Sequence, residues 1–129
     1  MTSTAAQLVA EAKGRIRNMS VDEVARELET GSVTLVDIRE PDEVTREGAI
    51  PGAVAAPRGM LEFWADPSSP YHRQEFDPGR RTILYCASGG RSALAVATLQ
   101  SLGYSDIAHL DGGMKAWKEQ GRPVTHQPS

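Results

Sequence analysis

The chain's one cysteine opens the stretch Cys86-Ala87-Ser88-Gly89-Gly90-Arg91-Ser92, and these residue types at this spacing suit a stabilised thiolate. A free thiol titrates near ~8.5, so at neutral pH only a few per cent of it is the nucleophilic anion. Backbone N–H groups curling into a helix N-terminus supply positive potential without bulky side chains, and Gly89 and Gly90 permit the positive φ that such a curl needs. Ala87 and Ser88 leave room for a substituent on the sulfur, and Arg91 adds a full charge. Lowering the thiol pKa by about two units corresponds to roughly 2.7 kcal/mol of preference for the anion. By default a lone cysteine is a small buried hydrophobe. Its place between a strand and a helix favours a reactive Cys86 instead, surrounded by the N–H groups of Ala87, Ser88, Gly89 and Gly90 and the charge of Arg91.

The elements that position this loop are legible on either side of it. Thr82-Ile83-Leu84-Tyr85-Cys86 reads as a buried strand, and Ser92 to Leu102 as a helix stopped by Gly103. Val33 to Ile38, Ala53 to Ala56 and Ile107 to Leu110 read as further strands. Ser20-Val21-Asp22-Glu23 matches a capping box, and Glu40 to Glu47 and Gly113 to Gln120 allow further helices. Ala5 to Arg17, with Leu8, Ala12 and Ile16 on one face, reads as an accessory N-terminal helix within residues 1–19, ahead of a domain over residues 20–129. Between Pro57 and Arg81, prolines alternate with large apolar residues, the composition of an inserted lid or flap. Alternating strands and helices predict an α/β domain with a mostly parallel central sheet of about five strands, flanked by helices on both faces. In such sheets ligands sit outside the carboxyl ends of the strands, where Cys86 falls.

Side chains near that end include Asp37, Arg39 and Arg58, candidates for supporting the loop from behind. The structural alternative for the first two is an Asp capping a turn and an Arg paired with Glu43 or Glu47. Arg58, Tyr71, His72 and Arg73 could line the mouth of the site and attract anionic donors, against the more usual solvated or packing role of such residues, and Trp64 could form a substrate wall. Trp117 reads as core of the last helix, and His109 as a structural histidine in a strand.

The match of several segments to one family is specific. Val36-Asp37-Ile38-Arg39-Glu40-Pro41, Gly48-Ala49-Ile50-Pro51-Gly52-Ala53, the Cys86 loop, and Leu110-Asp111-Gly112-Gly113 followed by Trp117, Gly121, Pro123 and Val124 stand in the order and spacing of a rhodanese. From about Ser20 to Val124 the chain resembles a single-domain rhodanese, a sulfurtransferase of the rhodanese-like superfamily. It departs from the family's pattern at Ala49, where His is common. The resemblance implies transfer of sulfane sulfur from a donor such as thiosulfate to cyanide or a thiol through a Cys86 persulfide. It implies no general base, no cofactor and no metal. Related readings are a protein-to-protein sulfur-relay carrier and a non-catalytic binding module. A phosphatase or arsenate reductase also uses Cys, loop and Arg, but cell-cycle phosphatases of this kind have one more residue between Cys and Arg than the four present here.

Composition is consistent with that reading. A chain of 129 residues, 40% hydrophobic and 24% charged, is long enough for one domain with a real core. One cysteine excludes an intramolecular disulfide, and His72, His109 and His126 lack metal-ligand spacing. Residues 1–10 lack the pattern of a secretory signal, and no apolar run approaches a membrane span, so a cytoplasmic protein without a membrane partner is expected. A net charge of −3 argues against nucleic acid as a bulk partner.

Overall fold

Strands β2 (Thr34–Asp37) and β4 (Thr82–Tyr85) are buried along their whole length, as expected of central strands in a sheet covered on both faces. They pair in parallel, Thr34 opposite Thr82 through Asp37 opposite Tyr85. The computed structural model describes residues 2–126; Met1 and 127–129, the outermost parts of the two segments set out above, lie outside the described residues. Within them β1 (Arg17–Met19), β3 (Val54–Ala55) and β5 (Ile107–Leu110) complete an all-parallel sheet in the order β1-β5-β4-β2-β3.

Strand periodicity divides the core in two. Val36, Leu84 and Cys86 face one side, with Ala95, Val96 and Leu99 of helix α5 (Gly90–Gln100) and Leu61 and Ala65 of α4 (Leu61–Ala65). Leu35, Ile83 and Tyr85 face the other, with Val21 and Val24 of α2 (Val21–Glu29) and Met114 and Trp117 of α6 (Gly113–Glu119). Helix α1 (Ala5–Lys13) packs on α5, and α3 (Pro41–Glu47) follows β2. The chain leaves β2 toward β3 on one side and leaves β4 toward β5 on the other. The carboxyl ends of β2 and β4 therefore form the switch point at which such sheets place ligands; Cys86 follows β4 directly and Arg39 lies two residues beyond β2.

The first helix stops at Lys13 rather than Arg17. Gly14 caps it, Asn18 donates its amide to the carbonyls of Lys13 and Ile16, and Arg17–Met19 turns into the edge strand β1 beside β5. Ile16 thus reaches the core from a turn, which mimics the i+8 position of a longer helix. Helix α5 begins at Gly90, two residues before Ser92, because left-handed Gly89 (φ 107°) ends the loop there. The 58–81 segment is not a free flap. Leu61, Ala65 and Phe76 are buried in the core, and Tyr104 Oη donates to the Ala65 carbonyl at 2.8 Å. The α2 capping box forms as read, with Ser20 and Glu23 satisfying each other's backbone N–H.

Candidate active site

Cys86 leaves β4 with its side chain in the α5-side core, and the loop after it folds back over the sulfur. The N–H groups of Gly89 and Ser92 donate to Sγ at 3.2 and 3.4 Å, and Ser92 Oγ lies 3.5 Å away. The amides that reach the sulfur are therefore those around the helix start. The closing Asp111-Gly112-Gly113 turn holds the loop from outside. Met114 N–H donates to the Cys86 carbonyl at 2.9 Å and Lys115 N–H to that of Ala87 at 3.0 Å. A Cβ on Gly113, itself at φ 59°, would lie 2.6 Å from the Cys86 carbonyl oxygen, so a side chain there would push the two turns apart.

Electrostatics at the sulfur favour the anion. Burial is the largest influence and opposes ionisation, but the Ser92 hydroxyl and N–H, with the N–H groups of Gly89 and Ser88, outweigh it and hold the thiol below its ordinary pKa. Cys86 is 1% exposed, so a reactant must enter the loop itself. Ser88 is exposed, and Ala87, Gly90 and Arg91 are half-buried. Ala87 also lines a cavity of about 390 Å³ with Arg39, Glu43, Met114, Lys115 and Lys118.

A histidine stands behind the sulfur, which the sequence reading did not anticipate. Ser92 Oγ is 2.8 Å from His109 Nδ1, and His109 Nε2 is 2.7 Å from Asn18 Oδ1. Asn18 commits its NH2 to the carbonyls of Lys13 and Ile16, so its oxygen accepts from Nε2–H and leaves Nδ1 as an acceptor. With Cys86 a thiol, the Ser92 hydroxyl donates a hydrogen bond to Nδ1 and accepts one from the sulfur. With Cys86 a thiolate, one hydroxyl proton has two acceptors. Burial, partly offset by Asp111, holds the His109 pKa down to about 4, so the imidazole is neutral at pH 7. The signal was weak in sequence: His109 shares a face with Cys86 only because Leu84 pairs with His109, a register that the chain does not spell out.

The supporting candidates separate. Asp37 and Arg39 form a buried bidentate pair, Nε to Oδ1 at 3.0 Å and Nη2 to Oδ2 at 2.7 Å. Arg39 also donates to the Gly48 carbonyl, and Tyr85 Oη donates to Asp37 Oδ2 while accepting from Ile50 N–H. The partner of Arg39 is thus Asp37, not Glu43 or Glu47. Glu43 instead binds Arg91 through both oxygens, at 2.7 and 2.9 Å. Arg58 pairs with Glu62 at 2.6 Å and lines neither cavity beside Arg39. His72 bonds to the Phe76 carbonyl, and Arg73 lies over the Trp64 ring at 3.5 Å. Trp64 lines the second cavity, of about 400 Å³, on the Asp37 side of Arg39. Trp117 is core, as read.

A family model for the rhodanese-like domain matches residues 20–120. The chain belongs to the rhodanese-like domain family. It is 36% identical over 96 residues to a sulfurtransferase of Allochromatium vinosum, covering 74% of this chain and 81% of that one. Its matches cover 47% of a second curated relative, from Synechocystis, and 21% of a third, from Mycobacterium tuberculosis. A solved protein of unknown function from Rhodopseudomonas palustris, described as a possible tyrosine phosphatase, has 39% identity and a TM-score of 0.91, with 97% and 96% of the two chains covered. The polysulfide-sulfur transferase of Wolinella succinogenes superimposes with a TM-score of 0.74 at 31% identity over 91% and 83%. Where rhodanese-like domains commonly have His, this chain has Ala49, whose N–H and carbonyl both bond to Thr125 at 2.9 and 2.8 Å. That bridge is made by backbone and does not depend on the side chain. Among the described residues no helix is long and apolar enough to cross a membrane.

Proposed function

We propose that this rhodanese-like domain is a sulfurtransferase that carries sulfane sulfur as a persulfide on Cys86. The observation behind this is the buried Sγ at the end of β4 with the N–H groups of Gly89 and Ser92 aimed at it. In the first half-reaction the Cys86 thiolate attacks the outer sulfur of thiosulfate. A bond from Sγ to that sulfur forms, the donor's S–S bond breaks, and sulfite leaves with the electron pair. In the second, cyanide or a thiolate attacks the terminal sulfur and the Cys86 thiolate leaves. Neither step needs a base to create its nucleophile when both attackers are anions. The loop from Ala87 to Gly90 and Arg91 would surround the anionic sulfur, while Asp37 and Arg39 would brace the loop through Tyr85, the residue before Cys86.

Incubation with thiosulfate is expected to add the mass of one sulfur atom to the intact protein, and Cys86→Ser to abolish the adduct. A protein unmodified by thiosulfate and by persulfide donors, or an adduct that persists in Cys86→Ser, would sink this reading. The description of the Rhodopseudomonas relative keeps a phosphatase as the second reading. A loop of four residues between Cys86 and Arg91 is one shorter than in the cell-cycle phosphatases, which favours a single sulfur over a tetrahedral phosphate. Turnover of an aryl phosphate lost in Cys86→Ser, with no sulfur adduct, would reverse the preference. Rapid transfer from a protein persulfide with weak thiosulfate turnover would identify a sulfur-relay carrier.

A further inference from the structure

Arg91, the cation closest in sequence to the Cys86 loop, is already occupied. Both of its amino groups bind the Glu43 carboxylate, at 2.7 and 2.9 Å. Glu43 is held for this contact from its own helix, where it closes the capping box at the start of α3 and its Oε1 accepts from Glu40 N–H at 3.1 Å. The carboxylate therefore meets Arg91 without ordering a free side chain. The other charges around the cavity beside Ala87 are compensated too. Arg39 is matched by Asp37, and Lys118 lies 3.7 Å from Glu47. Of the charged groups lining the Ala87 cavity, Lys115 and Glu119 then remain, one of each sign. A site that receives a doubly charged oxyanion would be expected to show an excess of cations, and this one is balanced.

We propose that Glu43 is a specificity-determining residue: by occupying Arg91 it discriminates against sulfur donors with two negative charges and favours donors with one. The assignment rests on the sulfurtransferase reading. Glu43 stays ionised at any pH at which the thiolate exists, because the Arg91 hydrogen bonds hold its pKa down to about 2. The discrimination is therefore a fixed property of the site. A charge at the mouth acts on each donor charge separately, so its removal helps a dianion about twice as much, in free energy, as a monoanion.

Thiosulfate and methanethiosulfonate present the same kind of sulfane sulfur with two charges and one. The leaving groups are sulfite and methanesulfinate, each taking the electron pair of the broken S–S bond. In Glu43→Gln, which keeps an oxygen for Glu40 N–H and for Arg91, kcat/KM for persulfide formation is expected to rise about tenfold with thiosulfate and about threefold with methanethiosulfonate. The gap should narrow as salt is added. An unchanged ratio between the two donors, or a fall with thiosulfate, would overturn the assignment. A second arm needs no sulfur transfer: protection of Cys86 from iodoacetamide by sulfate should require about tenfold less sulfate in Glu43→Gln than in the wild type. If neither donor modifies the wild-type protein, the transfer reading fails, and the sulfate arm alone decides whether Glu43 screens dianions. Equal protection in the two proteins would overturn that too.

Discussion

Two arginine–carboxylate pairs flank the sulfur, and they differ in almost everything except geometry. Asp37–Arg39, at the end of β2, is buried, with side chains 2% and 1% exposed, while Glu43–Arg91, between α3 and α5, is 22% and 40% exposed. The buried pair is held by the Gly48 carbonyl and by Tyr85, so removing one ion leaves the other buried without its counter-ion. The outer pair can rehydrate, exchange partners or meet a ligand, so its energy as a pair is small, and the role proposed for it is to act on an incoming anion. Near one sulfur, burial separates a brace from a tuning element.

The largest effect should come from cutting the brace on one side. Asp37→Ala leaves the Arg39 guanidinium buried without its counter-ion and is expected to cost about 3–5 kcal/mol in denaturant unfolding, against about 1 kcal/mol for Glu43→Ala. Similar losses at the two sites would remove the distinction. Replacing both Asp37 and Arg39 by apolar residues of similar volume should cost less than Asp37→Ala alone, since no orphan charge remains.

His109 extends the comparison to a buried group that carries no charge at neutral pH. The unfolded chain binds its proton near pH 6.5 and the folded chain only near about 4. Between those values the unfolded state holds more protons, so stability falls as pH is lowered from 6.5 toward 4. The loss approaches about 3 kcal/mol. Chemical denaturation across that range should show it, and His109→Asn should flatten the curve. A wild-type slope that survives His109→Asn would assign the effect elsewhere.

A smaller change is expected at Ser92, which joins the buried histidine to the sulfur. Ser92→Ala removes the hydroxyl that helps hold the thiolate. The apparent pKa for alkylation of Cys86 should rise by about one unit, and because His109 Nδ1 loses its buried donor, about 1–3 kcal/mol of stability should go with it. A profile that does not move would mean that His109 keeps the Ser92 proton even when Cys86 is ionised.

Local patterns carried much of this in the sequence. A β-branched run before Cys86, glycines after it and an amphipathic run beyond them suffice for strand, loop and helix, because each is governed by neighbours within a few residues. The same holds for the Ser20 capping box. The edge strand β1 is not legible in the sequence, because three residues bonded on one side only have no periodicity to show and Ile16 imitates a helical position. In the sequence Arg39 has Glu43 and Glu47 as candidate partners along the chain. Its partner Asp37 is just as near, but choosing among the three requires knowing which carboxylate is buried with it.

By itself, then, the sequence determined where a nucleophile could stand and which backbone would surround it: Cys86, Gly89, Gly90 and the helix after them. The tertiary structure decided which groups meet that loop from afar. Asn18 and His109 line up behind Ser92, beside the sulfur, across two strand pairings, and Glu43 reaches Arg91 from a helix 48 residues earlier. The physical reason is range. Hydrogen bonding within a turn is written in adjacent residues, whereas strand register and helix packing, which bring distant side chains within 3 Å, are settled only when the whole core closes.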